Sequence, residues 1–260
     1  MPTLVLSRRF SDDSNALWRA AVAAGWDIER VLGYEAPVDL RAREPAIYGE
    51  TIFADALSGP LGLVLLEPTP DWLPGLPARY LRRRVRRARL GEARALHAPA
   101  FVKPGAEKLF PARVYAAEDP VDPDRLFDDA EDVLVAEPVE FELEVRAFVL
   151  ERSVATLSAY VRGGEVARAP DGSWPLTASE ESEARGTLRE LLGDSGVPLP
   201  PAVVVDVGRL AAGGWAVVEA NAAWGSGVCG CDPRAVLEVV ARANVPATRL
   251  SEPDERWRRP

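Results

Sequence analysis

Residues 201–224 read PAVVVDVGRLAAGGWAVVEANAAW. Two apolar, β-branched runs flank Ala211-Ala212-Gly213-Gly214, a pattern that predicts an antiparallel hairpin. With the turn centred between Ala212 and Gly213, Asp206 stands opposite Glu219. Side chains alternate along a strand, so one face carries Val204, Asp206, Gly208, Val217, Glu219 and Asn221. The other, core face carries Val203, Val205, Val207, Ala216, Val218 and Ala220. Carboxylates directly opposed across a sheet repel. A hard cation resolves this: Mg²⁺ takes oxygen ligands, often one or two carboxylates completed by phosphate oxygens. Asn221 adds a neutral oxygen on the same face, so Asp206, Glu219 and Asn221 are candidate metal ligands. The plainer reading is an exposed hairpin with surface acids, but so apolar a run predicts burial, where unpaired acids are rare.

The whole chain sets bounds on what such a site can serve. It has 260 residues, 47% hydrophobic and 27% charged, enough for one large or two small domains with an ample core. A net charge of −9 argues against a general nucleic-acid or membrane binder. The two cysteines, Cys229 and Cys231, offer no disulfide framework, and neither has a clear activating cation in the sequence. With no apolar leader or long apolar run, a cytoplasmic location is expected. The single histidine, His97, rules out a multi-histidine metal site.

Outward from the hairpin, the N-terminal part alternates strand and helix. Strands are predicted at Thr3–Leu6, Trp26–Val31 and Leu61–Leu66 and helices at about 11–24 and Glu50–Leu57, a small α/β unit. A helix is predicted from Ala78, its segment Tyr80–Arg89 rich in arginine. Most of these arginines read as a solvated face; one or two can reach an anionic ligand. Ala100–Lys103 and Ala112–Tyr115 read as strands around a Pro104-Gly105 loop, and a lysine there can hold phosphate oxygens as a point charge. Val139–Glu151 alternates, with Phe141, Leu143, Val145 and Ala147 on one face and Glu140, Glu142, Glu144 and Arg146 on the other. That polar face suits either solvent or a polar ligand cleft. After Asn221, glycines surround Ser226, so backbone N–H groups can point at an anion or developing oxyanion. Asp232-Pro233 opens a helix to about Ala243, and the residues from Glu252 onward are expected to fray.

Several of these segments line up with one family. AFVKP with its loop, LVAEPVEFELEVRAFV, VVVDVGRL and VVEANAAWGSGVCGCDP together resemble the ATP-grasp superfamily, most closely a divergent clade known from bacteria and phages. YGETIFADAL and DWLPGLPARYLRRRV are also similar to this clade.

The resemblance implies an α/β (α+β) fold in which two α+β lobes clasp ATP behind a small α/β domain. It divides the chain at about residues 1–90, 91–250 (lobes about 95–136 and 137–250) and a tail, 251–260. It implies that Lys103 and Lys108 bind nucleotide phosphates, Glu137 and Val139 meet the adenine, and Glu144 binds the ribose. Asp206, Glu219 and Asn221 then hold Mg²⁺. The lysine that many members carry before the K-P strand is absent, and Arg83 is the expected substitute. Arg146 and Arg209 are the expected charge-stabilising residues, Arg209 only if the strand bulges at Gly208. Trp224, Gly225, Ser226 and Gly227 form the expected substrate and oxyanion loop.

The implied reaction is ATP-dependent ligation of a carboxylate to an amine or related nucleophile through an acylphosphate. A phosphotransferase and a nucleotide-binding module without turnover remain as alternatives. The expected partners are a small-molecule or peptide carboxylate and a nucleophile, with oligomeric state open, a homodimer included.

Overall fold

The computed structural model describes residues 1–105 and 109–260. Lys108 lies outside the described residues.

The first sheet forms around β1 (Thr3–Ser7), whose Leu4, Val5 and Leu6 are fully buried. Ser11 then caps α1 (Asp12–Ala23): its hydroxyl accepts from the Ser14 N–H, and the Ser14 hydroxyl accepts from the Ser11 N–H. That reciprocal pair satisfies two donors the helix leaves open. β2 (Asp27–Val31) and β3 (Pro45–Tyr48) lie parallel to β1 on its two sides. β3 was not anticipated from sequence, although all four of its residues are buried. α2 (Thr51–Leu61) leads into β4 (Leu63–Leu65), which leaves this sheet and pairs far along the chain.

The second sheet corrects the arginine helix. α3 (Ala78–Leu81) stops where Arg82 turns left-handed at φ 51°, and residues 85–89 continue as a strand, β5 (Val85–Arg89). α4 (Leu90–Arg94), β6 (Ala100–Pro104), β7 (Arg113–Tyr115) and β8 (Asp132–Ala136) follow. The antiparallel order is β5-β8-β6-β7, so this sheet draws a strand from before residue 90. The strand wins over the helix because every residue of β5 has a partner on β8 and each exposed arginine finds an acid. Arg84 pairs with Glu137, Arg86 with Glu92, Arg87 with Asp71 and Asp132, and Arg89 with Asp132. This pairs the arginines from 84 onward with acids, while Arg82 and Arg83 donate to backbone carbonyls.

The third sheet contains β9 (Phe141–Leu150), β10 (Ser153–Arg162) and β11 (Glu165–Val166); α5 (Ala178–Gly193) then crosses to β12 (Ala202–Leu210) and β13 (Trp215–Asn221). The order is β11-β10-β9-β12-β13, antiparallel throughout. The hairpin turns through Gly213 and Gly214 at φ 91° and 83°, backbone that favours glycine. Asp206 pairs with Glu219 and Val204 with Asn221, as predicted.

Two bulges alter the expected faces. Val218 is an extra residue, so Val217 pairs with Val207 and packs into the core with Val203 and Val205 rather than beside Asp206. Ala216 accordingly pairs with Gly208. Glu142 is a second extra residue, and Phe141 leaves the face of Leu143 to lie over Gly208. A Cβ at Gly208 would stand 2.4 Å from the Phe141 ring, so any side chain there must displace the ring.

Asp232 caps α6 (Pro233–Ala243), followed by β14 (Asn244–Pro246), the antiparallel partner of β4, and α7 (Glu252–Glu255). The expected frayed tail is instead docked. Trp257 is buried, and Arg259 pairs with Asp55 and Glu67.

One face of the third sheet packs on α5 through Val145, Ala147, Val203 and Val205. The other face divides along its length. Phe148, Ala202 and Val204 pack with α6 and the first sheet. Beyond them the same face turns polar, at Arg146, Glu144, Asp206 and Glu219, and this end meets β6 of the second sheet.

Candidate functional site

Strand register builds the centre. Arg146 and Asp206 are direct neighbours on β9 and β12, and Glu219 is the neighbour of Asp206 on β13. Arg146 grips Asp206 with two hydrogen bonds, Nε to Oδ1 at 3.0 Å and Nη2 to Oδ2 at 2.8 Å. Lys103 reaches over from β6 and donates to Glu219 Oε2 at 2.6 Å. Asn221 Nδ2 donates to the other Glu219 oxygen at 2.9 Å, which leaves the Asn221 carbonyl oxygen for another partner. Two cations thus balance two acids across the meeting of two sheets.

Burial and charge oppose each other here. Burial pushes the Asp206 carboxyl up to about 6, while the Arg146 guanidinium draws it down. Burial also acts on Glu219, but Lys103 and Asn221 outweigh it and hold that carboxyl below its usual range. Glu144, across from Gly208, is pushed up to about 7 by burial and by the charges of Asp206 and Glu219.

Oxygen donors from two acids and an amide match a hard cation such as Mg²⁺. Among the described residues no cluster of three acidic, histidine or cysteine side chains forms a metal site. Asp206, Glu219 and Asn221 are the oxygen donors this centre offers a cation, with phosphate or water oxygens to complete the set.

The other expected residues divide. Arg83 donates to the Val217 and Val218 carbonyls at 2.8 and 3.0 Å, bracing the bulge, and lies 5.4 Å from the Phe141 ring. Its donors are bound to the main chain. Glu137 accepts from the Arg84 backbone and side chain at the edge of the second sheet. Val139 is exposed on the connection to β9. Arg209 stays on the α5 face, hydrogen-bonded to Glu142 at 3.2 Å and 3.8 Å from Glu180, because β12 has no extra residue at Gly208. The structure therefore separates Arg209 from Asp206.

The loop after Asn221 is also not as expected. Trp224 is buried, and its indole N–H donates to the Leu66 carbonyl. The Ser226 hydroxyl donates to the Ala222 carbonyl, and the Ser226 carbonyl accepts from Tyr48. Gly225 packs on the Gly49 carbonyl. Only Gly227 borders the centre: a Cβ there would lie 3.2 Å from Asp13 Oδ2 and 3.7 Å from Arg146 Nη1.

Sequence reading missed three residues at this site. Asp13 reads as one more acid in the first turn of α1, with no signal that it reaches the 227–229 loop. Phe141 reads as core until the bulge turns it. Tyr160, with the Arg146 guanidinium 3.9 Å over its ring, reads as an ordinary strand aromatic.

Comparison with known proteins agrees with this architecture. A family model described as an ATP-grasp domain, the second family of its clade, matches residues 80–239. A search of curated proteins finds no match. Solved structures similar to the chain include a RimK domain protein ATP-grasp from Sphaerobacter thermophilus, 15% identical, TM-score 0.50, covering 93% of this chain and 98% of the other. D-cycloserine synthetase DcsG is 16% identical, TM-score 0.52, covering 93% and 99%. A D-alanine–D-alanine ligase from Bacillus anthracis is 11% identical, TM-score 0.50, covering 94% and 97%. At these identities the likeness is one of fold.

Proposed function

Because the chain belongs to the ATP-grasp superfamily, we propose that it is an ATP-dependent ligase joining a carboxylate to an amine or related nucleophile through an acylphosphate. The observation that carries the reading is the meeting of Lys103 from one sheet with Glu219, Asp206 and Arg146 from another. A cation facing an acidic pair across two lobes suits a nucleotide's phosphates with their counter-ion.

In this reading Asp206, Glu219 and Asn221 hold Mg²⁺, which when bound supplies charge neutralisation at the phosphates. Lys103 turns from Glu219 to the phosphate oxygens. Arg146, fixed by Asp206 and by Tyr160, faces the transferring group and stabilises charge that develops there. Glu144 accepts from the ribose hydroxyls, and the main chain at Glu137 and Val139 borders the base. Phe141, held over Gly208 and braced by Arg83, forms the apolar wall of the nucleotide cleft. The parallel three-stranded sheet with α1 closes the side opposite the nucleotide.

Calorimetric titration of Mg·ATP tests the site: wild type binds, and Glu219→Ala loses binding. A folded wild type that binds no Mg·ATP sinks the proposal. ADP release that depends on both a carboxylate and an amine, with an amide product, supports ligation. A stable phosphorylated product favours the phosphotransferase, and binding without turnover favours the nucleotide-binding module.

A further inference from the structure

Val218 decides which way Glu219 points. From the hairpin turn, Arg209 pairs with Trp215, Gly208 with Ala216 and Val207 with Val217. Carried on without a break, that register would set Val218 against Asp206 and Glu219 against Val205, whose side chain packs on the α5 face. The Glu219 carboxylate would then enter the core. One unpaired residue, Val218, moves Glu219 forward to Asp206 and turns its side chain to the Asp206 face. The pairing of the two acids therefore depends on a bulge.

Arg83 holds that bulge. β13 is the last strand of its sheet, so the carbonyls on its outer edge have no strand partner there. In a regular strand successive carbonyls point to opposite sides, so one group meets two in a row only where a bulge turns them together. Arg83 does so: Nη1 donates to the Val217 carbonyl at 2.8 Å and Nη2 to the Val218 carbonyl at 3.0 Å. Nη1 also donates to the Leu81 carbonyl at 3.0 Å, which ties the guanidinium to its own segment. A planar fork of donors suits two converging acceptors. The neighbouring Arg82 adds a donor to the Gly213 carbonyl in the hairpin turn. The chain then enters β5, in the sheet that carries Lys103. Arg82 and Arg83 thus clip the outer edge of the hairpin where the chain passes to the second sheet.

Resting on the Mg²⁺-binding reading above, we propose that Arg83 is a positioning residue for the cation site: by holding Val217 and Val218 it aims Glu219 at the cation, and it does not itself bind phosphate. The family resemblance leads instead to a phosphate contact, the role a lysine fills in many members. The two roles differ in what the side chain must supply. A phosphate needs a positive charge, which lysine also provides as a point charge; two neighbouring carbonyls need the fork.

The test is calorimetric titration of Mg·ATP into wild type, Arg83→Ala, Arg83→Lys, Glu219→Gln and the variant carrying both Arg83→Lys and Glu219→Gln. Amide hydrogen exchange at Val218 and Glu219 adds a readout without nucleotide. Arg83→Lys is expected to weaken Mg·ATP binding at least fivefold although it keeps the charge, and Arg83→Ala at least as much, with faster exchange at both amides. Because Arg83 acts through Glu219, adding Arg83→Lys to Glu219→Gln is expected to change affinity less than twofold. Wild-type affinity in Arg83→Lys overturns the proposal in favour of the phosphate contact. Losses that multiply in the double variant overturn it too, as does weakened binding with unchanged exchange. Should Arg83→Ala not fold, Arg83→Lys and the double variant still decide. A folded wild type that binds no Mg·ATP removes the cation site and this inference together. The expected loss in Arg83→Lys, in a protein that binds Mg·ATP but ligates nothing, supports this inference while the ligase reading fails.

Discussion

Arg146 and Asp206 meet within one sheet, on neighbouring strands in register; Lys103 and Glu219 meet from two different sheets. The side chains of the first pair are 7% and 0% exposed, those of the second 25% and 27%. The difference separates what is built from what moves. The first pair is held by neighbouring positions on β9 and β12 and by two buried hydrogen bonds. The second holds only while the two sheets face each other, and either partner regains water when they separate. In the proposed reading a nucleotide displaces Lys103 from Glu219 while Arg146 stays in place.

The largest expected effect comes from breaking the fixed pair. Arg146→Ala leaves a fully buried carboxylate without its partner, an effect of about 3–5 kcal/mol that denaturant unfolding measures. Lys103→Ala sharpens the contrast. Its effect on stability is expected within about 1 kcal/mol. Its effect on Mg·ATP affinity is larger, about 1.5–3 kcal/mol for a lost charged hydrogen bond, read by calorimetry. Equal destabilisation by the two variants would break the comparison.

Gly208→Ala forces Phe141 off the sheet and is expected to cost about 1–3 kcal/mol in stability, with weaker nucleotide binding alongside. A gentler test is pH. The Glu144 carboxyl, raised to about 7 by burial and its acidic neighbours, keeps its proton after the unfolded chain has lost one. The native state then binds more protons than the unfolded state, so stability falls as pH rises from about 4.3 to about 7. Glu144→Gln is expected to flatten that fall, seen in melting temperatures across the range. The smallest effect belongs to Arg209→Ala, within about 1 kcal/mol and without change in Mg·ATP binding.

The opposition of Asp206 and Glu219 came out as expected although the turn is centred on Ala212, because the extra residue Val218 restores the register beyond it. The helices at Asp12 and Pro233 were legible from their caps. The bulges at Glu142 and Val218 were not, because one extra residue leaves the apolar pattern almost intact while reversing the faces beyond it. This hid Phe141 and misplaced Val217. The arginine strand was hidden because its partners, Asp71, Glu92, Asp132 and Glu137, are scattered through the chain. Asp13 escaped notice because nothing local tells a capping acid from one that reaches a distant loop. Family resemblance supplied the expected roles of Glu144, Glu137 and Val139, which composition and periodicity leave open.

The pairing of β4 with β14 has a consequence for synthesis. Residues 63–65 leave the ribosome long before residues 244–246 exist to pair with them. Until then the β4 edge, with its three buried positions, has no backbone partner in the nascent chain. The first sheet can form early, but its junction with the rest of the molecule closes only after the third sheet and α6 have been made. Folding should therefore end with a slow, long-range docking step, the kind of contact that limits folding rates most strongly.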